Sequence, residues 1–198
     1  MNADTFVIKL AECAIPIEKW IEDGATEDLA VELYESYFFK PKSPSSERNE
    51  DPILDLIARY DTSKFNCRDI QFDTSYLKYI GIQKTLGREL KRTGKIAIGN
   101  EESDYLVLNP KNSNIELLDH AKPDFVIAVC AINSSRFLDA LFHLVMFELP
   151  YSPFVNELNK HQLSVNNDAR HKRARECAEL AGGDPGWYRN SLGCDIWI

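Results

Sequence analysis

Between Thr93 and Leu149 three short apolar runs, Ile96 to Ile98, Tyr105 to Leu108 and Ile115 to Leu118, follow one another with Gly, Asn, Asp, Ser and Pro between them. Runs this short cannot make stable helices, and the residues separating them are those that reverse a chain tightly, so the pattern predicts antiparallel strands in a meander. A fourth run, Phe125 to Cys130, passes through Asn133-Ser134-Ser135 into a segment whose Phe137, Leu138, Leu141, Leu144 and Val145 recur at helical spacing. The expectation is a sheet over about residues 93 to 130 with a helix laid against it. Strands grouped in the middle of a helix-rich chain read as α+β, with an antiparallel or mixed sheet packed by helices.

The rest of the chain fits around that module. Phe6, Leu10, Cys13, Ile17 and Trp20 share a helical face, but Pro16 removes a backbone donor, which predicts two short helices or one bent one. Thr26 is placed to cap a helix with Leu29, Ala30, Leu33, Tyr34 and Tyr37 turned inward. Residues 40 to 51 carry two prolines, three serines and no apolar residue, the composition of a mobile loop. Asp51-Pro52 has the cap-then-proline order of a helix start, followed by Ile53, Leu54, Ile57 and Ala58. Strands are expected around Ile70–Phe72 and around Tyr79–Ile82, although the second run also suits the end of a helix. Beyond the central helix, Pro150 and Pro153 force a turn, residues 154 to 163 suit a short helix, and Ala174, Cys177, Ala178 and Ala181 form a slim stripe on a last long helix that stops at Gly182-Gly183. The Trp- and Tyr-rich tail from Asp184 to Ile198 is expected to dock back onto the core. A length of 198 residues suits one domain, with a helical N-terminal part to about residue 60 and a C-terminal extension over about 150 to 198.

Composition narrows the function. With 44% hydrophobic residues a sizeable core is available, and a net charge of −8 disfavours binding along a nucleic-acid backbone. No apolar run is long enough to span a membrane, and the first residues lack a basic signal-peptide region, so a cytoplasmic location is expected, with neither membrane nor nucleic acid as partner. Five cysteines, odd in number and without a C-x-x-C pair, read as buried or idle thiols. Cys130, at the end of a buried strand with no basic neighbour, should be inert.

Motifs of catalysis are missing. Gly94 and Gly99 lie between strands and Gly182-Gly183 ends a helix, so no glycine loop cradles a phosphate, and there is neither a G-x-S-x-G elbow nor an H-E-x-x-H helix. The four histidines are scattered; His171 shares a helical face with Arg175, and His143 beside Phe142 and Leu144 reads as a packed or surface side chain. Glu101, Glu102 and Asp104 form a carboxylate group of the kind used for metal or acid–base work, although a turn is also where solvated acids gather. The expectation is no enzyme, no cofactor and no metal. What stands out is charge. From Glu101 to Glu148 eight acids face three bases, and on strands that alternate in and out Asp104 and Glu116 could share a solvent face, either one that steers a cationic partner or a merely solvated acidic surface. Lys78 to Lys95 is the reverse, with six bases against Glu89 alone, a solvated face or an anion contact.

The segments IAIGNEESDYLVLNPKNSNIELLD and FVIAVCAINSSRFLDALFHL, within about residues 93 to 147, resemble the core of the SUKH superfamily. The likeness lies in a strand with a glycine, an acidic turn, a D-Y-L-V-L-N strand, a further strand, and a strand entering a helix with the Phe137-Leu138 pair. Asn100-Glu101-Glu102-Ser103 stands where a more glycine-rich turn is usual, and the family's early proline–aromatic helix with its Asn-Gly-Gly-like turn has no counterpart, the pattern of a divergent member. The resemblance implies an α+β fold and a non-enzymatic immunity protein that blocks the active site or substrate groove of a cognate, basic bacterial toxin, often a nuclease. A regulatory adaptor of the same fold is the alternative, and an unrecognised enzyme a third reading. Glu101, Glu102, Asp104 and Glu116 are the expected partner contacts. The sequence sets no oligomeric state.

Overall fold

The computed structural model describes residues 1–42, 48–72, 82–148 and 167–194. In chain order they form α1 (Ala3–Cys13), α2 (Ile17–Glu22), α3 (Glu27–Ser36), α4 (Pro52–Arg59), β1 (Ile70–Gln71), α5 (Ile82–Thr93), β2 (Ile96–Glu101), β3 (Asp104–Leu108), β4 (Ile115–Leu118), β5 (Val126–Ala131), α6 (Ser134–Glu148), α7 (Asn167–Ala181) and α8 (Pro185–Ser191). The five strands lie side by side in sequence order, each antiparallel to its neighbours. The fold is α+β, and the meander and its following helix stand where the apolar runs put them. Part of the polar loop at 40–51, the run Tyr79–Ile80, the turn at Pro150 and Pro153, the helix expected at 154–163 and the tail beyond Cys194 lie outside the described residues.

The turns are built by short polar side chains. Between β3 and β4, Asn109 Oδ1 accepts the Lys111 N–H at 3.2 Å, and the Asn109 N–H donates to the Asn114 carbonyl at 2.8 Å. Between β4 and β5, Asp119 Oδ1 accepts the N–H groups of Ala121 and Lys122 at 2.7 and 3.1 Å. Such side-chain turns hold register without long-range help. Gly99 serves the edge: a Cβ there would collide with the Gln71 carbonyl oxygen, so a glycine is what lets β1 lie against β2.

Both faces of the sheet are covered. Ile98, Leu106, Leu108, Ile115, Leu117, Ala128 and Cys130 join the main core with α1, α4, α6, α7 and α8. Tyr105, Val107 and Leu118 on the other face are buried under Leu86 of α5, with Leu90 and Val126 at the margin. The strand expected at Ile82 is therefore corrected to a helix. Leu86 and Leu90, one turn apart, supply the apolar stripe, and Gly94 ends it with φ +77.

The N-terminal helices follow the sequence reading with two exceptions. Pro16 separates α1 from α2, and Thr26 Oγ1 accepts the Leu29 N–H at 3.4 Å. Leu29 itself is 45% exposed, because α3 packs chiefly on α2 and buries only Ala30. In α4 it is Leu56 that is buried and Ala58 that is exposed. What anchors this region is aromatic: Phe39 meets Phe65 edge-on at 5.5 Å, Phe65 stacks on Phe72 at 5.3 Å, and Phe6 lies 6.2 Å from Phe39. Each such pair contributes about 0.5–1.5 kcal/mol beyond the area it buries.

Asp51 ties α4 to the sheet module. Its Oδ1 caps the Ile53 and Leu54 N–H groups at 2.9 and 3.1 Å, and its Oδ2 accepts the buried Ser134 hydroxyl at 2.6 Å at the start of α6. Arg59 bridges Asp55 and Asp4, and the Tyr60 hydroxyl also donates to Asp4 at 2.6 Å, which holds the Asp4 carboxyl below its usual range. The slim stripe of α7 is buried as expected, and Trp187, Tyr188, Leu192 and Cys194 bring the described part of the tail into the main core. All five cysteines are free, four of them buried, and burial pushes the Cys130 thiol well up. No helix among the described residues is long and apolar enough to cross a membrane.

Candidate functional site

The hairpin joining β2 and β3 carries three of the four acids singled out by sequence. Glu101 ends β2 and pairs in register with Asp104 at the start of β3, leaving Glu102 and Ser103 as a two-residue turn. Glu102 sits at φ +50, and beside it Arg68 and Asp69 lie at φ +51 and +63. Three non-glycine residues in the left-handed region are costly, and such strain gathers at functional sites. They are held by mutual bonds: the Glu102 N–H donates to the Asp69 carbonyl at 3.2 Å, the Asp69 N–H to Asn66 Oδ1 at 3.1 Å, and Asn100 Nδ2 to the Glu102 carbonyl at 3.0 Å.

Between this hairpin, the Arg68–Asp69 loop and α8 lies a cleft of about 390 Å³, lined by Arg68, Asp69, Glu101, Glu102, Asp104, Leu117, Ile127, Trp187, Asn190, Ser191 and Gly193. Its floor is Glu101. The Trp187 indole N–H donates to Glu101 Oε2, and the Ser191 hydroxyl donates to Oε1 at 2.7 Å. Trp187 and Ser191 are one turn apart on α8, so a single helix face grips both carboxylate oxygens. Burial pushes the Glu101 carboxyl above its ordinary value, the two donors pull it back, and the negative charges of Glu102 and Asp104 add to the rise. Glu101 is thus an inward acid, whereas Glu102 is exposed and Asp104 half-buried.

Asp104 looks toward the next turn. Its Oδ1 accepts the His120 backbone N–H at 2.9 Å and lies 2.8 Å from His120 Nδ1. Asp104, Asp119 and His120 bring one ligand atom each within 4.8 Å of one another, the only such group among the described residues and the set that could hold a cation. Asp104 Oδ1 and Asp119 Oδ1 are already engaged by turn N–H groups, which gives both acids a structural use. Register would have found this grouping, since Tyr105 opposite Leu118 puts Asp104 next to Asp119.

Glu116 does not belong to the site. It is 5% exposed, on the face beneath α5, where its carboxylate pairs with Lys95 at 2.8 Å and accepts from Asn109 Nδ2 at 2.8 Å. The solvent face expected to be shared by Asp104 and Glu116 does not form: Glu116, opposite Val107, is on the face that α5 covers, and Asp104 alternates onto the other face with Leu106 and Leu108. What sequence reasoning missed instead is apolar: Ile127, 42% exposed, stands at a register shift of edge strand β5 and lines the acidic cleft, and Phe125, two residues before it, is 59% exposed. Alternation does not predict the exposure of Ile127, because a bulge re-aims the side chain it displaces, and Phe125 lies just before the strand.

Apart from His120, which contacts the lining residue Asp104, the described histidines have no part in this cleft. His143 is half-buried against Arg173, whose guanidinium lies 2.9 Å from Nδ1; burial first and that cation second lower its pKa, so it is a packed neutral side chain. His171 and Arg175 line a different concavity at the junction of α7 and α8. No family model, no curated protein and no solved structure matches this chain, and the cleft is interpreted from its own geometry.

Proposed function

We propose that this chain is a non-enzymatic immunity protein of SUKH type, which binds a cognate basic bacterial toxin in the cytoplasm and blocks its active site or substrate groove. The observation that supports this reading is the gathering of acids, exposed at Glu102 and Asp69 and half-buried at Asp104, around a cleft that the exposed Ile127 also lines, with exposed Phe125 two residues before it in the chain. Acids at a rim accelerate encounter with a cationic protein, and a few apolar anchors supply the residence time. Glu101 acts differently from the other acids. Gripped by Trp187 and Ser191, it fixes α8 against the hairpin and so shapes the cleft floor, a positioning role.

The direct test is co-expression with the product of a neighbouring toxin gene. Growth rescue together with copurification supports the proposal, and a toxin that kills regardless of this chain refutes it. The regulatory adaptor alternative uses the same surface on a host protein; it predicts no rescue, and copurification of a host partner that Ile127→Asp abolishes.

A further inference from the structure

The His171–Arg175 pair of α7, one turn apart, is used by nothing described so far. α7 ends at Ala181, Gly182 turns the chain at φ +63, and Asp184 caps α8 by accepting the Gly186 N–H at 2.7 Å. The elbow is rigidly fixed to edge strand β5. A Cβ on Gly183 would collide with the Cys130 carbonyl, the Asp184 N–H donates to the Val129 carbonyl at 2.7 Å, and the fully buried Tyr188 donates its hydroxyl to the Cys130 carbonyl at 2.9 Å. In the angle between the helices lies a cleft of about 510 Å³, lined by His171, Arg175 and Glu179 of α7 and by Pro185 and Arg189 of α8.

Its charge is opposite to that of the chain. Net charge is −8, yet two exposed guanidiniums and an imidazole converge here against the single carboxylate of Glu179. Neither Arg175 nor Arg189 makes an ion pair with a carboxylate among the described residues. Planar guanidinium forks match the oxygens of a phosphoryl group two at a time. The volume is that of a small-molecule site, and the chain's overall charge gives no extended basic track for a polymer backbone. Arg189 is two residues from both Trp187 and Ser191, so it leaves α8 on the side away from Glu101, and the two clefts share this helix back to back.

We propose that the α7–α8 elbow binds a phosphoryl dianion, free or carried by a small metabolite, with Arg175 and Arg189 as the fork and His171 as a third donor. The test is an amide-shift NMR titration of the full chain with glycerol 3-phosphate and, separately, inorganic phosphate, at ionic strength held constant with chloride. Saturable shifts over residues 171–189 at millimolar ligand are expected, with affinity about tenfold weaker in Arg175→Gln and in Arg189→Gln. Lys111→Gln, on the remote β3–β4 turn, should bind like the parent. Tighter binding of glycerol 3-phosphate assigns the site to a metabolite, and equal binding assigns it to free phosphate. Absence of saturation, or equal weakening by Lys111→Gln, overturns the proposal.

Discussion

Glu116 and Asp104 are both acids on neighbouring strands of one sheet, and they have opposite fates. Glu116, in the middle of the sheet, is buried with Lys95 under α5, while Asp104 sits at the turn end, half-exposed beside Glu102. Strand alternation sets them on opposite faces: Glu116, opposite Val107, shares the face of Tyr105 and Val107 that α5 covers, whereas Asp104 falls on the other face of β3. A single amphipathic helix turns Glu116 into part of the interior, while the acids at the turn end, out of its reach, keep contact with solvent. On the proposed function, the middle of the sheet serves stability and its end serves recognition.

Four substitutions sharpen or break this division, beginning with the largest expected effect. Lys95→Met leaves the Glu116 carboxylate buried without its cation and should cost about 3–5 kcal/mol in urea unfolding, most of it regained in Lys95→Met/Glu116→Leu, because an apolar pair avoids the desolvation that the ions incur. An additive double variant would place Glu116 in solvent. Glu101→Gln comes next. A carboxyl raised by burial contributes stability that is complete below its unfolded pKa and declines as pH rises through its folded value, so the parent's melting temperature should fall across that window. The Gln variant lacks this decline, gaining on the parent near neutral pH and losing that advantage in acid. Glu102→Gly relieves a φ of +50 and should stabilise by about 0.5–1 kcal/mol while slowing association with the toxin. Asp104→Asn keeps an oxygen for the His120 N–H, so its effect on stability should be about 0.5 kcal/mol or less, with the loss confined to the salt-sensitive association rate.

Much of the fold was legible because its determinants are local. The meander is written in short apolar runs and Asn, Asp and Gly turns, α4 in Asp51-Pro52, and the close approach of α7 in its alanines and Gly182-Gly183. The candidate site was legible only in part. Glu101, Glu102 and Asp104 are neighbours in sequence and remain neighbours in space. The partners that separate their roles come from afar: Trp187 and Ser191 reach Glu101 across 86 and 90 residues, and Lys95 claims Glu116 from just beyond a helix whose basic residues read as a solvated face or an anion contact. Ile127 was hidden because a register shift is set by tertiary pairing, not by composition. The backbone strain at Arg68 and Asp69 has no signature in those residue types.

The central claim is that the acidic turn end of the sheet, with its exposed isoleucine, is a protein-binding surface. The most direct measurement is the affinity of the purified cognate toxin for the parent chain and for Ile127→Asp, at matched melting temperature. The account predicts tight binding by the parent and a loss of at least about tenfold in the variant; undiminished affinity in Ile127→Asp would contradict it.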